Sequence, residues 1–268
     1  MKVRRNDEVT RRMKSRSILY LAIIITFLCQ RSAFGNDRFI EKIDRVKQAT
    51  VAIACVDQQG QISSIEGTGF FVSYDGSFLT ASHVARGLYL LPPERINQCI
   101  IPAIYFPKEG WKEGREVAIR WFRIKDCVFD DEIDLAKCTI FNNPFEDVAI
   151  KVKPQIVQFD SMTRRVGTEI AFTGFPLNII QPVTARSHIA GYLGRGSQSG
   201  IFEIIIDNNN WPGMSGAPVY LNNGRIIGVI LRRGTNDAEG LAFARSSNII
   251  VEFLSKHSFS TNKTKGAN

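Results

Sequence analysis

Ser215 carries the clearest signature of nucleophilic chemistry in this 268-residue chain. It stands in Asn208-Asn209-Asn210-Trp211-Pro212-Gly213-Met214-Ser215-Gly216, between apolar runs at 201–206 and 217–221. Glycines on both sides let the backbone turn sharply and approach other backbone closely, so a loop of this kind can hold a hydroxyl outward. A serine hydroxyl is a weak nucleophile, and the reading requires a base and an orienting acid elsewhere. Of the three histidines, His257 lies in a polar tail and His188 midway along a strand-like segment. His83 ends a strand-like segment and opens a helical turn, a position that can present its ring at a cleft. Imidazole changes charge near neutral pH and suits a proton shuttle. Asp130, Asp131, Glu132 and Asp134 cluster within a few positions. Asp134 differs from its neighbours because Ile133 and Leu135 flank it, so a half-buried carboxylate there can accept the histidine Nδ1–H and fix the tautomer. Asp131 is the reserve choice.

The elements that must position these groups are short and β-rich. Apolar spacing in 36–48 predicts a short leading helix. Strands are expected at 50–56, 65–72, 77–80, 117–122, 133–140, 167–174, 183–193, 201–206, 225–231 and 241–244, with turn residues between them. Asp75-Gly76 reads as a hairpin turn, and Ser77-Phe78-Leu79-Thr80 delivers His83 at the end of its strand. Residues 87–116 read as loop-rich, and 141–165 as a connection between two halves. Ser246-Ser247-Asn248 caps a terminal helix at 249–254. Many short strands without βαβ alternation predict an all-β sandwich or a pair of barrels.

Seven basic residues against two acidic ones in 1–16, and three lysines after 255, account for the whole formal charge of +8. The charge belongs to the ends, and it gives no reason to expect a nucleic-acid partner. The basic run leads into an apolar stretch at 18–28 and then Ala33-Phe34-Gly35, the pattern of a secretory signal peptide over residues 1–35. A stable membrane span is not expected, because a span takes roughly 20 apolar residues. An uncleaved signal anchor is the alternative. The mature region is then 36–255, with a disordered tail at 256–268. Export leaves Cys55, Cys99, Cys127 and Cys138, which permit two disulfides in three possible pairings or four buried thiols. No Cys-x-x-Cys pair is present, so a zinc site is not expected, and ligand spacing gives no reason to expect another metal. No cofactor is expected either.

Gly67-Thr68-Gly69-Phe70-Phe71-Val72 with Leu79-Thr80-Ala81-Ser82-His83-Val84 resembles the histidine segment of trypsin-like serine proteases, particularly the HtrA-like branch. Asp134-Leu135-Ala136 and Gly213-Met214-Ser215-Gly216 resemble the aspartate and serine segments, in family order. Gly174-Phe175-Pro176 and Gly240-Leu241-Ala242-Phe243-Ala244 extend the similarity over about 50–255, and no PDZ-like segment is read after it. The resemblance implies two six-stranded β-barrels, about 36–150 and 160–250, with a short C-terminal helix and a site in the cleft between them. It implies a serine endopeptidase acting on protein or peptide substrates through His83, Asp134 and Ser215. The N–H groups of Gly213 and Ser215 would form the oxyanion hole. Asn209, Val229, Ile230 and Ala242 would line the substrate pocket. The usual acidic pocket-floor position is held by Asn209, which points to a small or apolar residue before the cut. Met214 and Ala217 depart from the Asp or Asn and the second Gly usual in the family. They carry the alternative reading, a catalytically inactive protease-fold binding protein.

Overall fold

Strand pairing closes only one half of this molecule into a barrel. The computed structural model describes residues 37–57, 59–89, 99–104, 119–150, 153–195, 198–234 and 239–257. The expected signal at 1–35, the end of the tail and much of the 87–116 loop reading lie outside these residues. Helix α1 (Asp37–Ala49) opens the described chain, and from Lys42 onward the chain is one compact unit. Thr50 Oγ1 donates to Val46 O at 2.7 Å where the helix gives way to a strand.

The first half is a seven-stranded antiparallel sheet. Its strands are β1 (Thr50–Val56), β2 (Ile62–Phe71), β3 (Phe78–Ala81), β4 (Cys99–Ile104), β5 (Ile119–Phe122), β6 (Ile124–Asp130) and β7 (Leu135–Ile140). They lie in the order β5-β4-β1-β2-β3-β7-β6. The edge strands β5 and β6 are separated in sequence by Arg123 alone, so the sheet curls until its two edges meet at one corner. No ladder joins them, and the expected first six-stranded barrel is instead an open, curled sheet. The sheet also includes β4 and β6, two strands absent from the sequence reading. Phe70, Phe71, Phe78, Leu79 and Leu135 are fully buried here, each contributing about 1.5–3 kcal/mol by leaving water.

The second half is a closed six-stranded barrel, as the family resemblance implies. It comprises β8 (Glu169–Gly174), β9 (Val183–Arg195), β10 (Gln198–Ile206), β11 (Pro218–Tyr220), β12 (Ile226–Arg233) and β13 (Ala242–Ser246), in the order β10-β13-β12-β11-β8-β9. Ile170, Phe172, Ile189, Ile204, Ile206, Met214 and Ile230 are among its core residues. Helix α2 (Ser82–Tyr89) follows β3, and helix α3 (Ser247–Lys256) ends the described chain. The halves share a seam. Phe175, just beyond β8, is fully buried against Ala52, Ala54 and Ile65 of the first sheet.

Cys127 and Cys138 face each other across β6 and β7 and form a disulfide. Cys55 is also disulfide-bonded, and its register partner across β1 and β4 is Cys99. Among the described residues no helix is long and apolar enough to cross a membrane.

Candidate active site

The buried strand β3 carries the chain to the seam, and helix α2 begins at its end. His83 is the second residue of that helix, with half of its side chain exposed. The turn before β7 supplies its partner. Asp134 adopts φ +56°, a left-handed conformation that Asp tolerates better than most residues and that costs energy unless the surroundings enforce it. From there one carboxylate receives three contacts from His83. The backbone N–H donates to Oδ1 at 3.0 Å, and Nδ1 lies 2.9 Å from Oδ2 and 3.1 Å from Oδ1. An ionised carboxylate only accepts, so Nδ1 donates in this contact, which leaves Nε2 as the ring's acceptor in the neutral tautomer. Ser82 N–H donates to Asp134 O at 3.2 Å, tying the same turn to the helix start.

Asp131, the reserve acid, faces the helix rather than the ring. It accepts from Ser82 Oγ at 2.5 Å and from Arg86 Nε at 2.6 Å. Those bonds, Arg86 first, hold its carboxyl below the ordinary Asp range. Arg86 also lies over the Phe129 ring, 4.7 Å from its centroid.

Ser215 comes from the loop before β11. Its glycines are required by space as well as by backbone angle. Gly213 sits at φ +91° and Gly216 at φ +90°. A Cβ would lie 2.2 Å from Phe175 O at Gly213, and 1.9 Å from Thr68 O at Gly216. Met214 donates its N–H to Trp211 O, and Gly216 donates to Ile230 O. Among the described residues, the N–H groups of Gly213 and Ser215 have no protein acceptor, the state a donor needs to receive a developing oxyanion. The two departures from the family pattern are both packed inside the barrel, since Met214 and Ala217 are fully buried core residues against Gly174.

The serine loop is fastened to the first sheet by Thr68. Its N–H donates to Ser215 O at 2.8 Å, and its hydroxyl donates to Gly213 O at 2.7 Å while accepting from Phe175 N–H at 3.1 Å. A Cβ at neighbouring Gly67 would fall 2.5 Å from the Val84 side chain of α2 and 3.0 Å from Ser215 O, so only glycine fits where the serine backbone and the histidine helix crowd the same residue. The Ser215 hydroxyl donates to Leu231 O at 3.1 Å. Among the described residues no hydrogen bond joins it to His83. The structure therefore brings His83 and Asp134 together directly, and brings Ser215 to the same seam with its hydroxyl turned toward β12.

Of the four expected pocket residues, Asn209 lines a cleft together with Asn210, Trp211, Arg233, Glu239 and Gly240. Val229, Ile230 and Ala242 are fully buried, and the latter two belong to the barrel core. Alternation along β12 puts Val229 and Ile230 on opposite faces, Ile230 toward the barrel core, and both faces of β12 are covered there. Asn210 is 6% exposed, and its Oδ1 has no donor among the described residues. Thr68, Leu231 and Asp131 were not singled out for these roles. The Gly67-Thr68-Gly69 motif was the only sequence signal near the first of them. Among the described residues no group of His, Cys, Asp and Glu could hold a metal ion.

A closed antiparallel barrel and a curled sheet beside it, with a His–Asp pair and a glycine-flanked serine loop along their seam, define a trypsin-like fold. The chain belongs to the trypsin-like peptidase family: the model of the trypsin-like peptidase domain matches residues 67–229. A comparison with curated proteins finds no match. Among solved structures the chain is similar to the active form of the Rv3671c protease from M. tuberculosis, at 17% identity and TM-score 0.56, covering 80% of this chain and 83% of that one. It is also similar to the inactive serine-to-alanine form of that protein, at 18% identity and TM-score 0.57, covering 88% and 96%. Deg5 matches at 18% identity and TM-score 0.57, covering 81% of this chain and 91% of that one.

Proposed function

We infer that this trypsin-like protease is an exported serine endopeptidase, and the contact between His83 Nδ1 and the Asp134 carboxylate is the observation that carries the reading. A histidine held in one tautomer by a carboxylate at a glycine-rich serine loop is the arrangement general-base activation of a hydroxyl requires. For attack, the Ser215 hydroxyl leaves Leu231 O by rotation about its side-chain torsions and gives its proton to His83 Nε2. Its oxygen then adds to the peptide carbonyl. The negative charge that develops is received by Gly213 and Ser215 N–H. His83 protonates the leaving amine, an acyl-serine remains, and water activated by the same imidazole releases it. This triad chemistry is a worked example of general enzymology rather than a result particular to this chain.

The proposed preference for a small or apolar residue before the cut rests on the neutral Asn209, in a cleft that Arg233 and Glu239 also line. Export is supported by the basic and apolar N-terminal pattern and by cross-strand disulfide bonding, which persists in oxidising compartments. N-terminal sequencing of the protein from cells separates cleavage after Gly35 from retention of residues 1–35 as an anchor.

The second reading is a binding protein on a protease fold. It is favoured by one observation, the Ser215 hydroxyl turned to Leu231 O. A fluorophosphonate probe and a casein or peptide cleavage assay decide between them. Labelling at Ser215 and cleavage abolished in a folded Ser215→Ala variant are the expected results. Absence of labelling across pH 5–9, or cleavage that survives Ser215→Ala, overturns the protease reading.

A further inference from the structure

The turn that presents Asp134 is held from the opposite half of the molecule. Arg245 lies on β13, in register with Glu203 of β10 and Val229 of β12. Its side chain is 5% exposed, yet it does not spend all of its donors inside its own barrel. Nε donates to Ile133 O at 2.8 Å, directly before Asp134. Nη1 reaches Phe202 O at 3.4 Å and lies 3.7 Å from Glu203 Oε1. The guanidinium is stacked on the Phe202 ring at 3.5 Å. Glu203 is in turn held by Arg232 Nη2 at 2.8 Å, and Arg232 covers the Phe243 ring at 3.9 Å.

We propose that Arg245 is a positioning residue for Asp134, acting by fixing the Ile133 carbonyl and so coupling the serine-bearing barrel to the acid of the first sheet. The inference rests on the protease reading above. The physical argument starts from the peptide plane. Ile133 O and Asp134 N belong to one rigid planar unit, so holding the oxygen holds the plane from which the Asp134 φ angle is measured. That angle is +56°, a conformation the chain abandons unless its neighbours enforce it. On the far side Ser82 N–H holds Asp134 O. With both flanking carbonyls tied, the backbone that carries the carboxylate is fixed, and the contacts from His83 hold the carboxylate itself. Guanidinium suits the task because stacking on Phe202 and pairing with Glu203 fix its plane, leaving Nε aimed across the seam. Lysine has no Nε–H at that place.

The primary variant is Arg245→Lys, which keeps a cation beside buried Glu203 while removing the donor to Ile133 O. The expected result is a fall in kcat of about 10- to 100-fold, the scale of small misplacements of catalytic groups, with KM unchanged. The downfield proton resonance of the His83 Nδ1–H bond to Asp134 is expected to weaken or vanish, which a purely structural role would not cause. Combined with Asp134→Asn, Arg245→Lys is expected to add no further loss, because its effect passes through Asp134. Retained kcat and retained resonance in Arg245→Lys overturn the proposal. So do losses that multiply in the double variant. If Asp134→Asn and Ser215→Ala themselves leave cleavage intact, the protease reading fails. If both abolish cleavage while Arg245→Lys is neutral, only the positioning role fails. Should Arg245→Lys not fold, Glu203→Gln, which loosens the guanidinium without touching the seam, reads out the same resonance and kcat.

Discussion

Replacing Thr68 with valine removes one hydroxyl and nearly nothing else, yet it should damage both stability and catalysis. Thr68 is fully buried. Its hydroxyl donates to Gly213 O at 2.7 Å and accepts from Phe175 N–H at 3.1 Å. Valine keeps the shape and leaves both backbone groups in the seam without a partner. A buried group orphaned in this way costs about 1–3 kcal/mol. Two of them, less the desolvation that the absent hydroxyl no longer requires, give a net loss of about 2–4 kcal/mol. For a chain of this size each kcal/mol moves the melting temperature by about 2–4 °C, so Tm should fall by about 4–16 °C. The released Gly213 carbonyl belongs to the peptide unit beside the expected oxyanion donors. A displacement near 1 Å there should lower kcat/KM by about a hundredfold. Thr68→Ser is the matched control, since it keeps both bonds and loses a methyl worth about 0.8 kcal/mol. Calorimetry and peptide hydrolysis on the three proteins test this. If Thr68→Val melts within 2 °C of wild type and cleaves at the same rate while Thr68→Ser does likewise, the hydroxyl does not fasten the serine loop and the reasoning is wrong.

Gly216→Ala is expected to give no soluble, folded protein, because its Cβ would fall 1.9 Å from Thr68 O and 2.5 Å from Thr80 Oγ1 at φ +90°. Normal expression with a native circular dichroism spectrum would contradict that steric account. Non-reducing peptide mapping should recover Cys127 linked to Cys138, and Cys55 linked to its register partner Cys99. Replacing Cys127 and Cys138 together by alanine should cost roughly 2–3 kcal/mol in chemical denaturation, the loop-closure value for a separation of 11 residues. Asp131 gives a pH-dependent signature. Its folded pKa is depressed below the ordinary Asp value of 3.8 by Arg86 and then Ser82, so its contribution is complete above that value and is lost as pH falls through the lower folded pKa. The difference in melting temperature between wild type and Asp131→Asn should therefore be constant from pH 5 to 7 and shrink below about pH 3.8. A difference that grows on acidification would refute the assigned sign.

Much of this site could be read before any fold was in hand. His83 at the end of a strand and Asp134 between apolar neighbours were identified by local pattern, and the two side chains do meet. The closed second barrel is what the family resemblance implied, whereas strand spacing alone left a sandwich or a pair of barrels open. The first sheet was read less well. Cys99–Ile104 fell within a segment rich in loop residues, and Ile124–Asp130 carries alternating charge that hides a half-exposed edge strand. The fully buried state of Val229, Ile230 and Ala242 was likewise hidden, because a motif names the strand but not the tertiary neighbours that cover both of its faces.

Sequence by itself determined which groups can do chemistry here: a serine between two glycines, an imidazole at a strand end, an acid isolated by Ile133 and Leu135. These are properties of residue type and of neighbours a few positions away, and local sterics and solvation set them. Tertiary structure alone decided how those groups are held. Thr68 meets Gly213 across 145 residues and Arg245 meets Ile133 across 112, and such contacts exist only once two sheets have folded against each other. Long-range hydrogen bonds leave no local signature because one partner carries no information about the other until the intervening chain has paid its ordering entropy.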